Sequence, residues 1–316
     1  MSLLSIFATA ILPVVAVSAV GFGLGRFKGV QPDALNTVTV YVLAPALVIH
    51  SLTTSTVTGG TILKVVVAVA AFTAAMLAIA EATGRLFGQT EPLLGAFVLV
   101  AVFPNTGNYG IPLADFVFGP TGRSLAVLVT ALQGVMLYTL GIYIAARGAD
   151  SDPVADMKRV FGVPLVYAVV LSLAVRWLGV APPADSTLMQ TLEILGNASI
   201  PIMLLILGIQ LSDVDMGGTL LPVGIASGLK LVLAPVVAVV AVLLLGFQDP
   251  TVARIVVLLL ATPTGVTPII LIGAFSSERN GFAPGEFVSA TVLVTTLLSV
   301  LTVTVLISIL QSGAVV

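Results

Sequence analysis

The sequence predicts an all-α polytopic membrane protein: ten transmembrane helices in two inverted five-helix repeats, with broken crossover helices in spans 4 and 9. Three observations carry this. The 316 residues are 58% hydrophobic and only 8% charged, with a mean hydropathy of +1.19, whereas soluble domains carry about 25% charged residues. Hydrophobic runs parted by Gly, Pro and charge divide the chain into ten stretches able to cross a bilayer. The fourth and ninth of these are interrupted by prolines at matching places.

In order, the runs fall near 4–25, 34–53, 61–81, 92–118, 123–146, 158–178, 188–211, 218–246, 250–275 and 286–311. The N-terminal "MSLLSIFATAILPVVAVSAVGFGLGRF" has no basic start and no convincing small-residue cleavage site, so it reads as the first span rather than a signal. The longest polar stretch, "RGADSDPVADMKR" (147–159), lies close to the midpoint. It separates a first five-helix repeat, 1–146, from a second, 158–316, through a short cytoplasmic linker, 147–157. Ten spans place both termini on one side. With the termini outside, the cytoplasmic loops hold Arg26, Lys28, Arg85, Arg147, Lys158, Arg159 and Arg279, against Lys64, Arg123, Arg176 and Arg254 at the outer ends. Seven against four predicts a multi-pass plasma-membrane protein with both termini extracytoplasmic.

The halves pair segment by segment. Pro13 and Pro164 occupy the first span of each, and "YVLAPALVIHSL" (41–52) pairs with "ASIPIMLLILGIQL" (198–211). The fourth pair is the most telling: "TEPLLGAFVLVAVFPNTGNYGIPLADF" (90–116) and "QDPTVARIVVLLLATPTGVTPIILIGAF" (248–275). Each opens on an acid–proline pair, runs as an apolar half-helix, breaks at Pro104 or Pro263, and resumes after Pro112 or Pro268. Five spans is an odd number, so the second repeat enters the membrane from the opposite side, the plan of secondary transporters.

A proline inside a helix removes a donor and clashes with the preceding turn. In hydrocarbon each unmet backbone group costs several kcal/mol, so irregular backbone persists only where it is buried in protein or lines a cavity. The half-helix resuming after a break presents free N–H groups and a positive dipole end, which suits a carboxylate. Asn105 and Asn108 add amides and Thr106 a hydroxyl, and from the other repeat Thr264, Thr267 and the flexible Gly265 face them. The competing reading is a merely kinked, packed helix, and two paired breaks rich in amides and hydroxyls weigh against it.

Several other polar residues carry more than one reading. Lys230, near the middle of span 8, either neutralises an anionic substrate or stands in for a coupling cation, or is a structural lysine, snorkelling or amide-paired. Asp115, beyond the first break, either binds a cation or pairs with a neighbour such as Arg123. Gln133 reads as a cavity liner, Gln210 as liner or helix glue, Asn197 as a partner of local backbone, and His50 as interfacial.

At the breaks the sequence resembles the auxin efflux carrier family, which includes bacterial and archaeal malate-permease-like proteins and the plant PIN carriers. The resemblance rests on "NTGNYGIPLA" (105–114), "YVLAPALVIHSL" (41–52), "SIPIMLLILGIQL" (199–211), "LKLVLAPVV" (229–237) and "TPTGVTPIILIGAFSSE" (262–278). It implies ten-span carriers of monocarboxylates or dicarboxylates, in which an often dimerising scaffold flanks a moving transport domain; a homodimer is expected on that basis. Carried over, Pro104, Asn105, Thr106, Gly107 and Asn108 would hold the substrate carboxylate, and Pro263, Thr264 and Gly265 would form the opposing arm. The chain lacks the long central domain of the plant members, and its second arm has no asparagine.

The expected function is therefore a secondary active transporter of a small organic anion, working by alternating access around a two-helix crossover, with no cofactor and with H+ or Na+ as possible coupling ion. A sodium-coupled symporter of the bile-acid-transporter type is the alternative within the class, and a passive channel or receptor the alternative outside it. The chain has one His and no Cys, and neither an HExxH motif nor a GxxxxGK[ST] loop, so neither an enzyme nor an ATP-driven pump is encoded. A net charge of −2 argues neither for nor against a polyanionic partner, and no nucleic acid and no metal are expected.

Overall fold

A computed structural model describes residues 3–147, 161–162, 164–212, 220–275 and 284–315. Apart from Arg147, the 147–157 linker lies outside the described residues, as do Lys158, Arg159 and Arg279. Among the described residues the chain is helical, and its one β-type pairing is an isolated bridge between Pro104 and Thr264. The helices are α1 (Leu4–Lys28), α2 (Asp33–Thr53), α3 (Gly59–Leu86), α4 (Leu93–Val102), α5 (Thr106–Ala145), α6 (Pro164–Trp177), α7 (Thr187–Ser212), α8 (Leu220–Leu245), α9 (Pro250–Leu260), α10 (Thr267–Phe275) and α11 (Pro284–Gln311). Seven of them are long and apolar enough to cross a membrane: α1, α2, α3, α5, α7, α8 and α11. The short helices α4, α9 and α10 are the pieces left by the two expected breaks.

Four helices contain a wide π-helical turn that ends two residues before a proline: Phe7–Ile11 before Pro13, Thr39–Leu43 before Pro45, Thr106–Gly110 before Pro112 and Leu229–Leu233 before Pro235. A proline cannot donate to the turn behind it and collides with the carbonyl there. One extra residue in that turn relieves the collision without ending the helix. These prolines are therefore carried through continuous spans, unlike Pro104 and Pro263, which stop theirs.

The expected spans at 92–118 and 123–146 are separated by a reversal rather than a loop. Gly119 sits at φ 61°, ψ −147°, between arms 106–118 and 120–145 of α5. A Cβ on Gly122 would overlap the Ala114 carbonyl, and Arg123 bonds Asp115. Residues eight apart along a straight helix would be separated by about 12 Å, so the chain folds back on itself here.

The helices sort into two groups. α1, α2, α6 and α7 pack on one another, while α3, α4, α8, α9, α11 and the arms of α5 form the other group, with α5 making most of the contact between them. The α1–α7 seam is built on glycine: a Cβ on Gly21 would overlap the Leu205 carbonyl, and one on Gly208 the Ser18 carbonyl. Without a solvent-driven hydrophobic force, close backbone approach of this kind is what holds membrane helices together.

Polar contacts collect at two ends. At one, Arg147 bonds Glu81 at 2.7 Å and lies 3.7 Å from Glu91, while Arg85 bonds Glu81 at 2.6 Å, joining the ends of α3 and α5 to the start of α4. Burial raises the Glu91 carboxyl above its ordinary value, opposed by the Gly95 N–H and by Arg147. At the other end Lys64 Nζ donates to the Gly246 carbonyl at 2.7 Å, and Arg176 donates to the carbonyls of Leu52 and Val57 at 3.2 and 2.7 Å.

Candidate functional site

The two breaks meet. Asn105 N–H donates to the Pro263 carbonyl at 2.7 Å and Gly265 N–H to the Phe103 carbonyl at 3.0 Å, so each unwound segment satisfies the other as a two-residue piece of antiparallel sheet. Backbone that helix breaking left open is thus paired across the junction. Thr264, fully buried, completes the seal: its hydroxyl donates to the Val100 carbonyl at 2.9 Å, and its N–H donates to Thr295 Oγ1 at 3.2 Å.

The four half-helices have ordered polarity around this junction. The C-terminal ends of α4 and α9 run into it, and their carbonyls find donors inside the protein. Lys230 is one of these donors. It is fully buried, with Nζ 3.5 Å from the Leu260 carbonyl and 5.7 Å from the Phe72 ring centre. A cation at a helix C-terminus complements the macrodipole, and an aromatic face offers a second attraction.

The N-terminal starts of α5 and α10 lie on the other side and border a cavity of about 480 Å³. Its wall includes Pro104, Asn105, Thr106, Gly107 and Asn108 from the first break, and Gly265, Val266, Thr267 and Pro268 from the second. The second arm of α5 adds Thr130, Gln133 and Tyr138; α2 adds Asp33, Asn36 and Thr37; α7 adds Gln210. The cavity thus lies between the two helix groups, with the breaks at its floor. Asn105 is 6% exposed, its Nδ2 without a hydrogen-bond partner among the described residues, and the unmet Oε1 of Gln133 and Gln210 and Oγ1 of Thr130 belong to the same walls. Buried polar atoms are normally paired, so such a cluster calls for ordered water or a ligand that takes its place.

Of the residues expected to act together, Pro104 to Asn108, Gly265, Thr267 and Gln133 are gathered at the cavity. Pro263 and Thr264 are behind it, holding the junction, and Lys230 is also outside its wall. Asp115 is bound by Arg123 through two hydrogen bonds of 2.9 Å, away from the cavity. Asn197, read from sequence as a partner of local backbone, instead accepts from Arg123 Nη1 at 2.6 Å. His50 lies within electrostatic reach of Arg123 and Glu193 at that same end. Sequence reasoning left Gln210 open and passed over Thr130, Asp33, Asn36, Thr37 and Tyr138. The spacing of Thr130 and Gln133, i and i+3 on one helix face, was the available signal.

A family described as "Membrane transport protein" matches residues 6–160 and 154–307. A protein of Rhizobium meliloti (strain 1021) named "Putative malonate transporter" is 28% identical over 315 residues, covering 96% of each chain. A protein of Methanocaldococcus jannaschii named as an uncharacterized transporter is 25% identical, over 60% of this chain and 62% of its own. One of Methanothermobacter thermautotrophicus, named likewise, is 24% identical over 68% of this chain and 70% of its own.

Proposed function

The chain belongs to the membrane transport protein family, the auxin efflux carrier group its motifs resemble, and from that premise we propose that it is a secondary carrier of a small carboxylate. The observation that supports this best is the pairing of the two breaks beneath a cavity bordered by two helix N-termini and the unmet Asn105 amide. The malonate named for the Rhizobium relative is a carboxylate small enough to enter such a cavity.

The topology that goes with this reading is ten spans in two inverted repeats, 1–146 and 158–316, crossing at Pro104 and Thr264. In it the ends of α3 and α5 and the start of α4 are cytoplasmic, as are the starts of α2 and the end of α7 that border the cavity mouth. The cavity then opens inward. The outer end is held shut by contacts between the two helix groups: Arg123 to Asn197 at 2.6 Å and Ser124 Oγ to the Ser51 carbonyl at 2.9 Å. Alternating access requires these to part as the group carrying the crossover shifts against α1, α2, α6 and α7.

Two measurements test this. Purified protein in liposomes preloaded with unlabelled malonate is expected to accumulate external labelled malonate transiently and with saturation; flux that rises linearly with concentration would make it a channel. For the topology, Gly88→Cys is expected to react with an impermeant maleimide only from the cytoplasmic face and Gln248→Cys only from outside. Reaction of both from one face removes the inverted plan.

A further inference from the structure

The cavity wall carries buried polar atoms of opposite kinds. Asn105 offers Nδ2, a donor, at the break. Gln133, only 4% exposed, offers Oε1, an acceptor, on the second arm of α5. Gln133 Nε2 lies 3.4 Å from Thr73 Oγ1 on α3, and in that orientation Oε1 is the amide atom without a partner among the described residues. Thr130 Oγ1, on the same helix face, is also unmet, and Gln210, with Oε1 unmet, stands on the α7 side of the cavity. A carboxylate accepts hydrogen bonds and has none to give. It answers Asn105 and the helix N-termini, and leaves Gln133 and Gln210 unanswered.

We propose that Gln133, with Thr130 and Gln210, forms a second subsite that accepts an O–H from the far end of the substrate, so that a short dicarboxylic acid is carried as its monoanion. One carboxylate lies at the break, and the protonated second carboxyl donates to Gln133 Oε1. This rests on the carrier reading above and specifies the charge state of its substrate. A second carboxylate would set acceptor against acceptor, in a cavity whose wall already carries the Asp33 carboxylate. The proton therefore travels on the substrate and not on a side chain. A hydroxyl supplies the same O–H, so a hydroxy monocarboxylate occupies both subsites with no second titrating group.

Calorimetric binding of malonate, lactate and propionate to the purified full-length protein distinguishes these. Above its second pKa the monoanion of malonate falls about tenfold per pH unit. The apparent Kd for malonate is accordingly expected to rise about tenfold from roughly pH 7 to roughly pH 8. Lactate, singly charged throughout, is expected to change less than about twofold over that range and to bind more tightly than propionate. The lactate series also reports titration of the two ionisable groups in the described wall, Asp33 and Tyr138: an equal slope for lactate assigns the pH dependence to the protein and overturns the proposal. Malonate affinity that is flat or rises with pH overturns it too, while leaving the carrier reading intact. Binding of none of the three acids overturns the carrier reading itself. Gln133→Leu is expected to flatten the malonate slope, and a full slope in that folded variant removes Gln133 from the subsite. The wild-type pH series decides the charge state even if the variant does not fold.

Discussion

Asn105→Ala is expected to weaken carboxylate binding by roughly ten- to a hundredfold, the equivalent of one hydrogen bond to a charged group at about 1.5–3 kcal/mol. The fold should be left almost untouched. The structural work of Asn105 is done by its main chain: its N–H reaches the Pro263 carbonyl at 2.7 Å and its carbonyl receives the Gly110 N–H at 2.9 Å. Both bonds survive truncation, and φ −79°, ψ 67° is the inverse γ-turn conformation, which alanine adopts. The side-chain Nδ2 has no partner among the described residues, so removing it abandons no bond within the protein. The melting temperature of the detergent-purified variant should therefore stay within about one degree of wild type, a shift of less than about 1 kcal/mol. Calorimetric titration with malonate alongside the melting curve separates the outcomes. Unchanged affinity in a folded variant would place the carboxylate elsewhere. Lost affinity with a collapsed melting curve would make Asn105 a part of the scaffold.

The breaks were legible in the sequence because of where two prolines stand, and not because proline always ends a helix: Pro13, Pro45, Pro112, Pro201 and Pro235 are all carried within theirs. Pro104 and Pro263 follow apolar half-helices of matching length in the two halves and stand beside amides, hydroxyls and glycine, and that matched context marked them as partners. What the breaks do to each other was legible only in part. Thr264 and Asn105 look alike in sequence, as polar residues beside a proline. Yet Thr264 is consumed by the Val100 carbonyl and Thr295, while the Asn105 amide is left over. That division depends on which carbonyls the neighbouring half-helix brings within reach, a tertiary fact with no local trace. The cavity rim is of the same kind: Asp33, Asn36 and Thr37 come from α2, a helix whose own sequence gives no sign of facing the breaks, while Gln210 of α7 carried cavity liner as one of two readings. Lys230 shows the limit from the other direction. A lysine deep in an apolar span signals that something compensates it; sequence offered substrate, ion, lipid interface or an amide partner, and the structure supplies the Leu260 carbonyl at a helix C-terminus and an aromatic ring.

Gly208→Ala is expected to be the most destabilising single methyl that can be added to the α1–α7 pair. The two helices approach until backbone touches backbone: a Cβ at Gly208 would overlap the Ser18 carbonyl oxygen and crowd the Phe22 nitrogen at 2.7 Å. Neither is the end of a flexible side chain, so the methyl fits only if the helices part along their shared seam. Overpacking a well-filled core typically costs about 1–3 kcal/mol, and a clash with the main chain of a helical turn belongs at or above the top of that range. In Gly21 and Gly25 this seam has the small-xxx-small spacing that lets membrane helices close, so its geometry was written in α1 even though its partner was not. Gly224→Ala in α8 is the control. That glycine is exposed, and a Cβ there meets nothing within 4 Å. In a helix interior alanine is favoured over glycine by about 0.5–1 kcal/mol, so Gly224→Ala should melt at or above the wild-type temperature while Gly208→Ala melts well below it. The contrast also bears on mechanism. If α1, α2, α6 and α7 are the body against which the crossover group moves, their seam has to stay closed through the cycle. Loosening it at Gly208 should then reduce transport more than binding, because a site carried largely by the other group can still hold an anion after the frame it works against has slackened. Melting curves of Gly208→Ala and Gly224→Ala, read beside malonate binding and counterflow for each, decide the matter: equal melting of the two variants would mean that the α1–α7 seam gives way at little cost.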